Sequence, residues 1–524
     1  MKLTLPDAEP EAVGADVVLS ALAGAGVDTL FANPGTSEMH LVAALDREPR
    51  IRPVLCLFEG VATGAADGYA RMAGRPACVL LHLGPGYSNG AANLHNARRA
   101  YSPVVSLVGD HAVSHRHLDA PLASDIATLA AASSNWIRTA EEPNDVGLLV
   151  QEAVAASMGP PAGPATLILP ADCTWAPAPP PPPQRAFASK PHLDAAQVEA
   201  AAASIRAARA PLLLLGGKAL EEKGLRAAAR LAGAGYRIAT ETFPARQARG
   251  TNIIAPDRMK YFGELALADL APHDLLVLAG AAEPVAFFAY PNAPGSLVPP
   301  GCRVLPLVPA GRDSSDALAF LADVLGCGEP PAGGPKLALA EPTGQLTPQS
   351  IGISVARHLP SGAIVSDDAV TGSQPVFSAT ASAARHDWLS LTGGAIGQGI
   401  PVGIGAAIAQ PGAKVVVLTG DGAGMYTPQS LWTIARENLD VIVVIFANRS
   451  YRILDIEYRR TGAGRPGPAA AALLDIGNPA LDWVALAKGH GVSAATCSDA
   501  SSFDALFARA MAQPGPMLIE AVIA

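Results

Sequence analysis

Two stretches decide the fold, Lys414-Val-Val-Val-Leu-Thr-Gly-Asp-Gly422 and Val441-Ile-Val-Val-Ile-Phe-Ala-Asn-Arg-Ser450. Each is an apolar run of strand length that ends in a polar turn, which indicates buried parallel strands of an α/β sheet. Because the carboxyl ends of parallel strands meet at one edge, we expect Asp421 and Asn448 to lie side by side. Their side-chain oxygens and the Ser450 carbonyl are the hard ligands that Mg²⁺ prefers.

The turn at Asp421 also suits an anion. Gly420 and Gly422 let backbone N–H groups approach a phosphate closely. Residues 427–437 begin with a threonine and a proline and carry apolar side chains at helical spacing, which predicts a helix whose N-terminus faces that anion. The pattern therefore predicts a diphosphate site with its Mg²⁺, and an ordinary strand-turn-helix unit is the alternative interpretation.

A second pattern lies upstream, Leu57-Phe-Glu-Gly60 followed by Ala65-Ala-Asp-Gly-Tyr-Ala70. We expect an apolar strand over residues 54–58 and then a helix of small residues. Glu59 would then have a poorly hydrated carboxylate, whereas a purely structural glutamate is more comfortable on an exposed helix face.

The Gly-Asp-Gly pattern with its distant asparagine resembles the signature of thiamine diphosphate (ThDP) enzymes. With the upstream pattern, nearly the whole chain resembles the decarboxylase and acetolactate synthase superfamily, most closely benzoylformate decarboxylase and acetolactate synthase large subunits. The resemblance implies that Asp421, Asn448 and Ser450 bind Mg²⁺ and that Glu59 hydrogen-bonds the aminopyrimidine ring. It also implies cofactor contacts from Gly394, Ile396, Gly420, Gly422, Ala423 and Tyr451.

Ile396 lies where the family places an apolar wedge between the cofactor rings, and a core isoleucine in a strand-to-helix turn is the alternative. His82 matches an active-site histidine of benzoylformate decarboxylase, although the following Gly-Pro-Gly resembles acetolactate synthase, and a structural histidine remains possible. Thr36 matches a serine that contacts the substrate carboxylate. The apolar segment 284–290 offers no counterpart for a second histidine of the benzoylformate enzyme. The substrate pocket is expected in a Gly/Pro-rich lid after Tyr451, with Ile453, Leu454 and Glu457.

The resemblance implies an Mg²⁺- and ThDP-dependent lyase or carboligase that acts on a 2-oxo acid. Decarboxylation would give an enamine, and ligation to a second carbonyl compound would give an acyloin or acetohydroxy acid. A simple 2-oxo acid decarboxylase and a lyase that cleaves 2-hydroxyacyl or diketone compounds are alternatives. A further class is an inactive ThDP-binding regulatory subunit, which the intact Glu59, Asp421 and Asn448 disfavour.

Composition agrees with a metabolic enzyme. The 524 residues are 50% hydrophobic, enough for several cores, and the net charge of −9 without a basic tract argues against nucleic acid as a partner. Six cysteines lack metal or redox spacing, and His111, His115 and His117 are interpreted as a polar surface loop. The acidic N-terminus has no apolar core and no apolar run is long enough to span a membrane, so a cytoplasmic location without membrane attachment is expected.

The predicted fold class is α/β, with three doubly wound parallel-sheet domains of which the first and third are related. We expect a pyrimidine-binding domain at 1–178, a central domain at 188–328 and a diphosphate-binding domain at 345–524, joined by the proline-rich segment 176–183 and the Gly/Pro/Ala-rich segment 326–345. FAD in the central domain is unlikely, since Gly216-Gly217 lacks G-x-G-x-x-G spacing. In the family two subunits share each site, which implies a homodimer or homotetramer.

Overall fold

The computed structural model describes residues 12–183, 194–330 and 338–523. These residues form two compact units that divide within the segment 184–193. The predicted domain bounds at residues 1, 188 and 524, the N-terminal residues 1–11, and residues 331–337 of the second predicted linker lie outside the described residues.

The first unit contains a sheet of six parallel strands in the order β2-β1-β3-β4-β6-β5. Helices cover both faces, which explains why its central strands are apolar along their whole length. The strands are β1 (Thr29–Ala32), β2 (Arg52–Leu55), β3 (Ala77–His82), β4 (Val104–Asp110), β5 (Trp136–Thr139) and β6 (Pro164–Pro170). The helices are α1 (Gly14–Gly24), α2 (Met39–Leu45), α3 (Glu59–Ala73), α4 (Leu83–Arg99), α5 (Ile126–Ala130), α6 (Val146–Met158) and α7 (Ala171–Trp175).

The second unit begins with a five-stranded parallel sheet in the order β10-β8-β7-β11-β12. The Leu-rich runs at 211–215 and 275–279 are its two neighbouring central strands. Its strands are β7 (Pro211–Leu215), β8 (Arg237–Thr240), β10 (Asp257–Arg258), β11 (Leu275–Ala279) and β12 (Arg303–Val308), and one further strand, β9 (Gln247–Arg249), leaves this sheet. The helices are α8 (Ala195–Ala207), α9 (Glu222–Gly233), α10 (Gly263–Leu270) and α11 (Ser315–Val324).

The last sheet has the order β17-β18-β16-β15-β13-β14-β9. It is parallel except for β9, which comes from the central part of the chain and pairs antiparallel with β14. Its own strands are β13 (Ala363–Asp368), β14 (His386–Ser390), β15 (Val415–Gly420), β16 (Val441–Ala447), β17 (Ser493–Cys497) and β18 (Met517–Val522). The helices are α12 (Pro348–His358), α13 (Ser373–Ala379), α14 (Gly399–Ala409), α15 (Asp421–Gly424), α16 (Ser430–Arg436), α17 (Arg452–Arg460), α18 (Pro468–Ala472), α19 (Trp483–Gly489) and α20 (Ala500–Ala512).

The first and last sheets share one topology. When β9 is set aside, the last sheet read from its β14 edge has the same succession of strands as the first sheet read from β2. In both sheets the first strand lies between the second and the third, and the sixth lies between the fourth and the fifth. The predicted fold class, including the relationship of the first and third sheets, is therefore confirmed.

Two predicted element boundaries are wrong. The strand expected over 54–58 is β2 and ends at Leu55, so Glu59 begins α3 instead of ending a strand. The helix expected from Thr427 is α16 and begins at Ser430. Thr427 does not cap a helix because its hydroxyl donates to the Gly397 carbonyl.

The proline-rich segment 176–183 has no regular helix or strand, as predicted, and Pro177 pairs with Val13 through an isolated bridge. His111 and His115 lie in the loop after β4, as predicted, whereas His117 lies in one 3₁₀ turn, Arg116–Leu118, of the same segment. Among the described residues, no helix has the length and apolar character needed to cross a membrane.

Candidate functional site

Asp421 is the first residue of α15 and follows β15 directly. Its side chain is buried, its Oδ1 accepts a hydrogen bond from the Gly422 N–H (2.9 Å), and its Oδ2 accepts one from the Arg449 N–H (2.6 Å). Burial raises the pKa of Asp421 because it removes water from the charged carboxylate. Each oxygen keeps a second lone pair, so the group is suited to a cation.

Asn448 and Ser450 lie beside Asp421 because β16, which they follow, pairs with β15. Arg449 between them has a φ of 56°, and this left-handed residue directs its N–H towards the aspartate. The Asn448 Oδ1 accepts a hydrogen bond from the Ser450 N–H (3.1 Å). The structure therefore brings the three predicted Mg²⁺ ligands to one sheet edge.

Tyr451 covers the backbone of the Asp421 turn. A Cβ added at Gly422 would lie 2.5 Å from Cε1 of this ring, so only glycine fits there. Ala423 is buried in the same short helix, and Gly420 is its N-cap. The predicted diphosphate residues thus adjoin one another.

Residues 394–399 lead from the turn after β14 into Gly399, the first residue of α14, and we call them the glycine turn. Ile396, the predicted wedge, is its partly buried centre. Gly394 faces the central part of the second unit, since a Cβ there would lie 2.8 Å from Cζ of Phe287.

Phe287 belongs to an aromatic cluster formed by Phe243, Tyr261, Phe262, Phe287 and Phe288, whose contacting rings have centroids 5.1–6.2 Å apart. From the sequence, the segment 284–290, which contains Phe287 and Phe288, was recognisable only as apolar. The structure gives it a definite position, with the Phe287 ring against the glycine turn.

The expected Gly/Pro-rich lid is wrong for its named residues, because Ile453, Leu454 and Glu457 lie on helix α17. The Tyr290 hydroxyl donates to Glu457 (2.7 Å), and Arg460 forms an ion pair with Glu264 (2.5 Å). These contacts fasten α17 to the central part of the unit.

In the first unit, Glu59 is 7% exposed at the start of α3, so the expected poor hydration is confirmed. Its Oε2 accepts a hydrogen bond from the Asn89 amide (3.1 Å), and its backbone carbonyl accepts one from Thr63 (3.1 Å). The helix around it consists almost entirely of buried small residues, which allows α3 and α4 to pack closely. One carboxylate oxygen, Oε1, accepts no hydrogen bond from a described residue.

His82 ends β3 in the same unit. Its Nδ1 lies 2.9 Å from the Oε2 of Glu38, which is fully buried, and 3.3 Å from the Ser37 hydroxyl. Glu38 also accepts hydrogen bonds from the Gly35 N–H (2.8 Å) and from Ser37 (2.6 Å). These contacts assign the Nδ1 proton to the bond with Glu38 and leave Nε2 available. Thr36, the residue predicted from the family pattern, is exposed. The hydroxyl in contact with His82 is that of its neighbour Ser37.

The residues predicted from the sequence did not include Glu38, Asn89, Asp368 or a role for Phe287. Glu38 carried a signal, since it stands three residues after Gly35 at capping-box spacing. Asp368 carried another, because it ends an apolar strand at the same sheet edge as Asp421. Asn89 and Phe287 had none, as their partners are distant in sequence.

Comparisons with known families cover both groups of residues. A family model described as the N-terminal TPP binding domain of thiamine pyrophosphate enzymes matches residues 12–131, and the corresponding C-terminal TPP binding domain matches residues 371–521. The chain belongs to the thiamine pyrophosphate enzyme family. Thiamine pyrophosphate is ThDP, so the predicted family and enzyme class are confirmed, and the interpretation as an inactive regulatory subunit is not retained.

Relatives that match along nearly their whole length agree with this family assignment. This ThDP enzyme is 50% identical to a putative acetolactate synthase large subunit, IlvX, of Mycobacterium tuberculosis, over 97% of the chain and 99% of the relative. It is 30% identical to the benzoylformate decarboxylase of Pseudomonas aeruginosa, over 94% and 96% respectively. The 4-hydroxybenzoylformate decarboxylase of Rhodococcus jostii superposes with a TM-score of 0.84 at 25% identity, over 98% and 99%.

Proposed function

We propose that this ThDP enzyme is an Mg²⁺-dependent lyase and carboligase acting on a 2-oxo acid. It would release CO₂ from the donor and join the remaining acyl unit to a second carbonyl compound, which gives an acyloin or acetohydroxy acid. The names of its relatives support a 2-oxo acid as the donor, since they include an acetolactate synthase and decarboxylases of benzoylformate.

The residues fit the cofactor. Asp421, Asn448 and the Ser450 carbonyl would hold Mg²⁺ and the diphosphate, because a buried carboxylate and neighbouring oxygens form a hard ligand set. Ile396 would separate the two rings. Bound ThDP supplies a carbon nucleophile that accepts electrons from the broken bond. The buried Glu59 carboxylate would hold a proton at the aminopyrimidine ring, with Asn89 fixing its orientation.

The proposed preference for ligation over protonation rests on the aromatic cluster. Phe287 presents a hydrocarbon ring to the glycine turn, and the one hydroxyl of segment 284–290, on Tyr290, is engaged with Glu457. Segment 284–290 therefore offers no unengaged acid to protonate the decarboxylated donor. A carbonyl acceptor can therefore compete with the proton.

His82 supports the second candidate, a simple 2-oxo acid decarboxylase. Held by Glu38 through Nδ1, its ring can present Nε2 in a fixed direction and would deliver a proton to the decarboxylated donor. A lyase that cleaves 2-hydroxyacyl or diketone compounds would use the same groups in the reverse addition.

Product analysis distinguishes these activities. The purified protein with ThDP and Mg²⁺ is screened for CO₂ release from pyruvate, 2-oxobutyrate, benzoylformate and longer 2-oxo acids. The best donor is then incubated with and without an aldehyde or 2-oxo acid acceptor, and the products are separated by chiral chromatography. We expect ligation products with the acceptor and slow aldehyde release without it. Aldehyde alone, with the acceptor left intact, would identify a simple decarboxylase.

The assembly is part of the proposal. Residues 1–178 would bind the pyrimidine and residues 345–524 the diphosphate, around a central domain at 188–328 that holds no FAD. Two copies of the chain would share each site, so the enzyme would be a homodimer or homotetramer, in the cytoplasm.

A further inference from the structure

The glycine turn is anchored at two of its residues, Gly397 and Gly399. Asp368 Oδ2 accepts hydrogen bonds from the Gly397 N–H (2.8 Å) and the Gly399 N–H (3.2 Å). The Gly397 carbonyl accepts one from the Thr427 hydroxyl (2.7 Å), and the Gly399 carbonyl accepts one from the Ser366 hydroxyl (2.8 Å). Both backbone groups of each glycine are therefore held by side chains from outside the turn.

Asp368 is fitted closely to this position. It ends β13, is 1% exposed, and its Cβ lies 2.7 Å from where a Cβ on Gly399 would be. Gly397 has a φ of 90°, and a Cβ there would lie 2.3 Å from that of Tyr426. The turn therefore has one backbone path, and the carboxylate holds it there.

An acid at this position is costly to the fold. Burial raises the pKa of Asp368 to about 7, and the neighbouring Asp367 carboxylate adds to the rise. A side chain that only stabilised the fold would not need to be an acid, because a neutral acceptor can bond two N–H groups without the cost of a buried charge. The residue is therefore suited to a functional task.

Thr427 links the turn to the diphosphate region. It lies in the segment that follows α15, which Asp421 begins. The hydrogen bonds of Asp368 and Thr427 thus join the wedge residue Ile396 to the strand ends on which the predicted Mg²⁺ ligands lie.

We propose that Asp368 is a positioning residue that fixes the glycine turn and so sets the Ile396 side chain for cofactor bending. This inference rests on the proposed function, in which Ile396 separates the cofactor rings. Asp368 Oδ2 accepts its hydrogen bonds from Gly397 and Gly399 and not from the predicted metal ligands. Its loss should therefore impair cofactor activation more than cofactor affinity.

The test compares Asp368→Ala, which removes the oxygen that accepts both hydrogen bonds, with Asp368→Asn, which keeps an oxygen there. Amide hydrogen exchange of a peptide spanning 394–399 is measured in the protein without ThDP. With ThDP and Mg²⁺, calorimetry gives the cofactor Kd and NMR gives the rate of C2 proton exchange. In Asp368→Ala we expect about tenfold faster amide exchange and at least about tenfold slower C2 exchange, because two hydrogen bonds to the turn are lost. The cofactor Kd should stay within about threefold of the wild-type value, because Asp421 and Asn448 remain. Asp368→Asn should recover most of both rates.

Asp367→Ala is the matched control. Asp367 is also buried at the end of β13, but it accepts from the Ser373 hydroxyl (2.6 Å) and the Ala369 N–H (3.2 Å) and does not bond the turn. Wild-type amide and C2 exchange in Asp368→Ala, or equal losses in Asp367→Ala, would overturn the inference. If Asp368→Ala does not fold, Thr427→Val removes the opposite anchor and should give the same pattern. A wild-type protein that binds no ThDP would refute the proposed function, whereas amide exchange still decides the anchoring of the turn.

Discussion

Glu59 and Asp421 are both buried acids, yet their surroundings suit different tasks. The carboxylate of Asp421 accepts two backbone N–H groups that are fixed by the chain. The carboxylate of Glu59 accepts one amide from a side chain, Asn89, and keeps Oε1 without a partner among the described residues. A fixed acid suits a metal ion, and a partly satisfied one suits proton transfer.

Asp421→Ala should abolish ThDP retention and leave the fold intact. The raised pKa of Asp421 means that its ionised form is disfavoured by burial, so without a cation its removal costs the fold little. Calorimetry with Mg²⁺ and ThDP measures retention, and thermal unfolding without cofactor measures the fold. Asp455→Ala, which removes an exposed acid from α17, is the control and should bind normally. Undiminished affinity in Asp421→Ala would refute the metal assignment.

Glu59→Gln should still bind ThDP, because the amide preserves the size of the side chain. Exchange of the cofactor C2 proton should slow by about a hundredfold or more, since an amide cannot relay a proton as a carboxylate does. NMR of quenched samples in D₂O measures the rate. An exchange rate equal to that of the wild type would mean that another group activates the cofactor.

Glu241 provides a prediction on pH. Burial raises the pKa of Glu241 to about 7, and its Oε1 accepts a hydrogen bond from the Gly217 N–H (3.3 Å). The folded pKa exceeds the ordinary value of 4.5, so the stability that this group contributes below pH 4.5 is lost as the pH rises through 7. Glu241→Gln should therefore gain about 2 kcal/mol relative to the wild type between pH 5 and pH 8. Denaturant unfolding at both pH values measures the gain, and an equal difference at the two values contradicts the prediction.

At the scale of elements, the sequence predicted the strands well and the turns less well. The apolar run at 441–446, for example, is a strand as predicted because its composition and its burial agree. The predicted start of α16 is three residues too early. Thr427 is a residue type that often caps helices, but its hydroxyl donates to the carbonyl of Gly397, thirty positions away in sequence. Local patterns do not contain such a partner.

The same limit applies to the candidate site. Asp421 and Asn448 could be placed together from the sequence because two adjacent parallel strands deliver them. Glu38 beneath His82, and Phe287 against the glycine turn, depend on packing between segments whose relative position no periodicity encodes.

The aromatic cluster should select the size of the donor. Phe287→Ala should raise kcat/KM for bulky 2-oxo acids over pyruvate by about tenfold, because removing one ring opens space beside the glycine turn. Steady-state CO₂ release over the donor series measures the ratio. Phe288→Ala is the control, since its ring packs on Phe287 and is not among the atoms nearest Gly394. An unchanged ratio in Phe287→Ala would place the donor elsewhere.

At the scale of the whole molecule, shared sites can be tested by complementation. Glu59→Gln and Asp421→Ala proteins should each be inactive alone. If two subunits share each site, mixed dimers carry one site with both native residues, and random mixing should restore about a quarter of wild-type activity. Co-expression with two different tags and tandem purification isolates the mixed dimers, which should have about half of the wild-type activity because one of their two sites is intact. No recovery would mean that each chain builds its own site.

The antiparallel strand β9 also bears on how this chain can be divided. It lies between β8 and β10 in sequence, yet it completes the last sheet at β14, where Arg246 pairs with Asp387 (2.9 Å). A gene fragment encoding only the last sheet would leave β14 as an unpaired, aggregation-prone edge strand. Recombination that exchanges the last sheet between homologues must therefore transfer Gln247–Arg249 with it. The unit that can be inherited intact thus includes a segment from the central part of the chain.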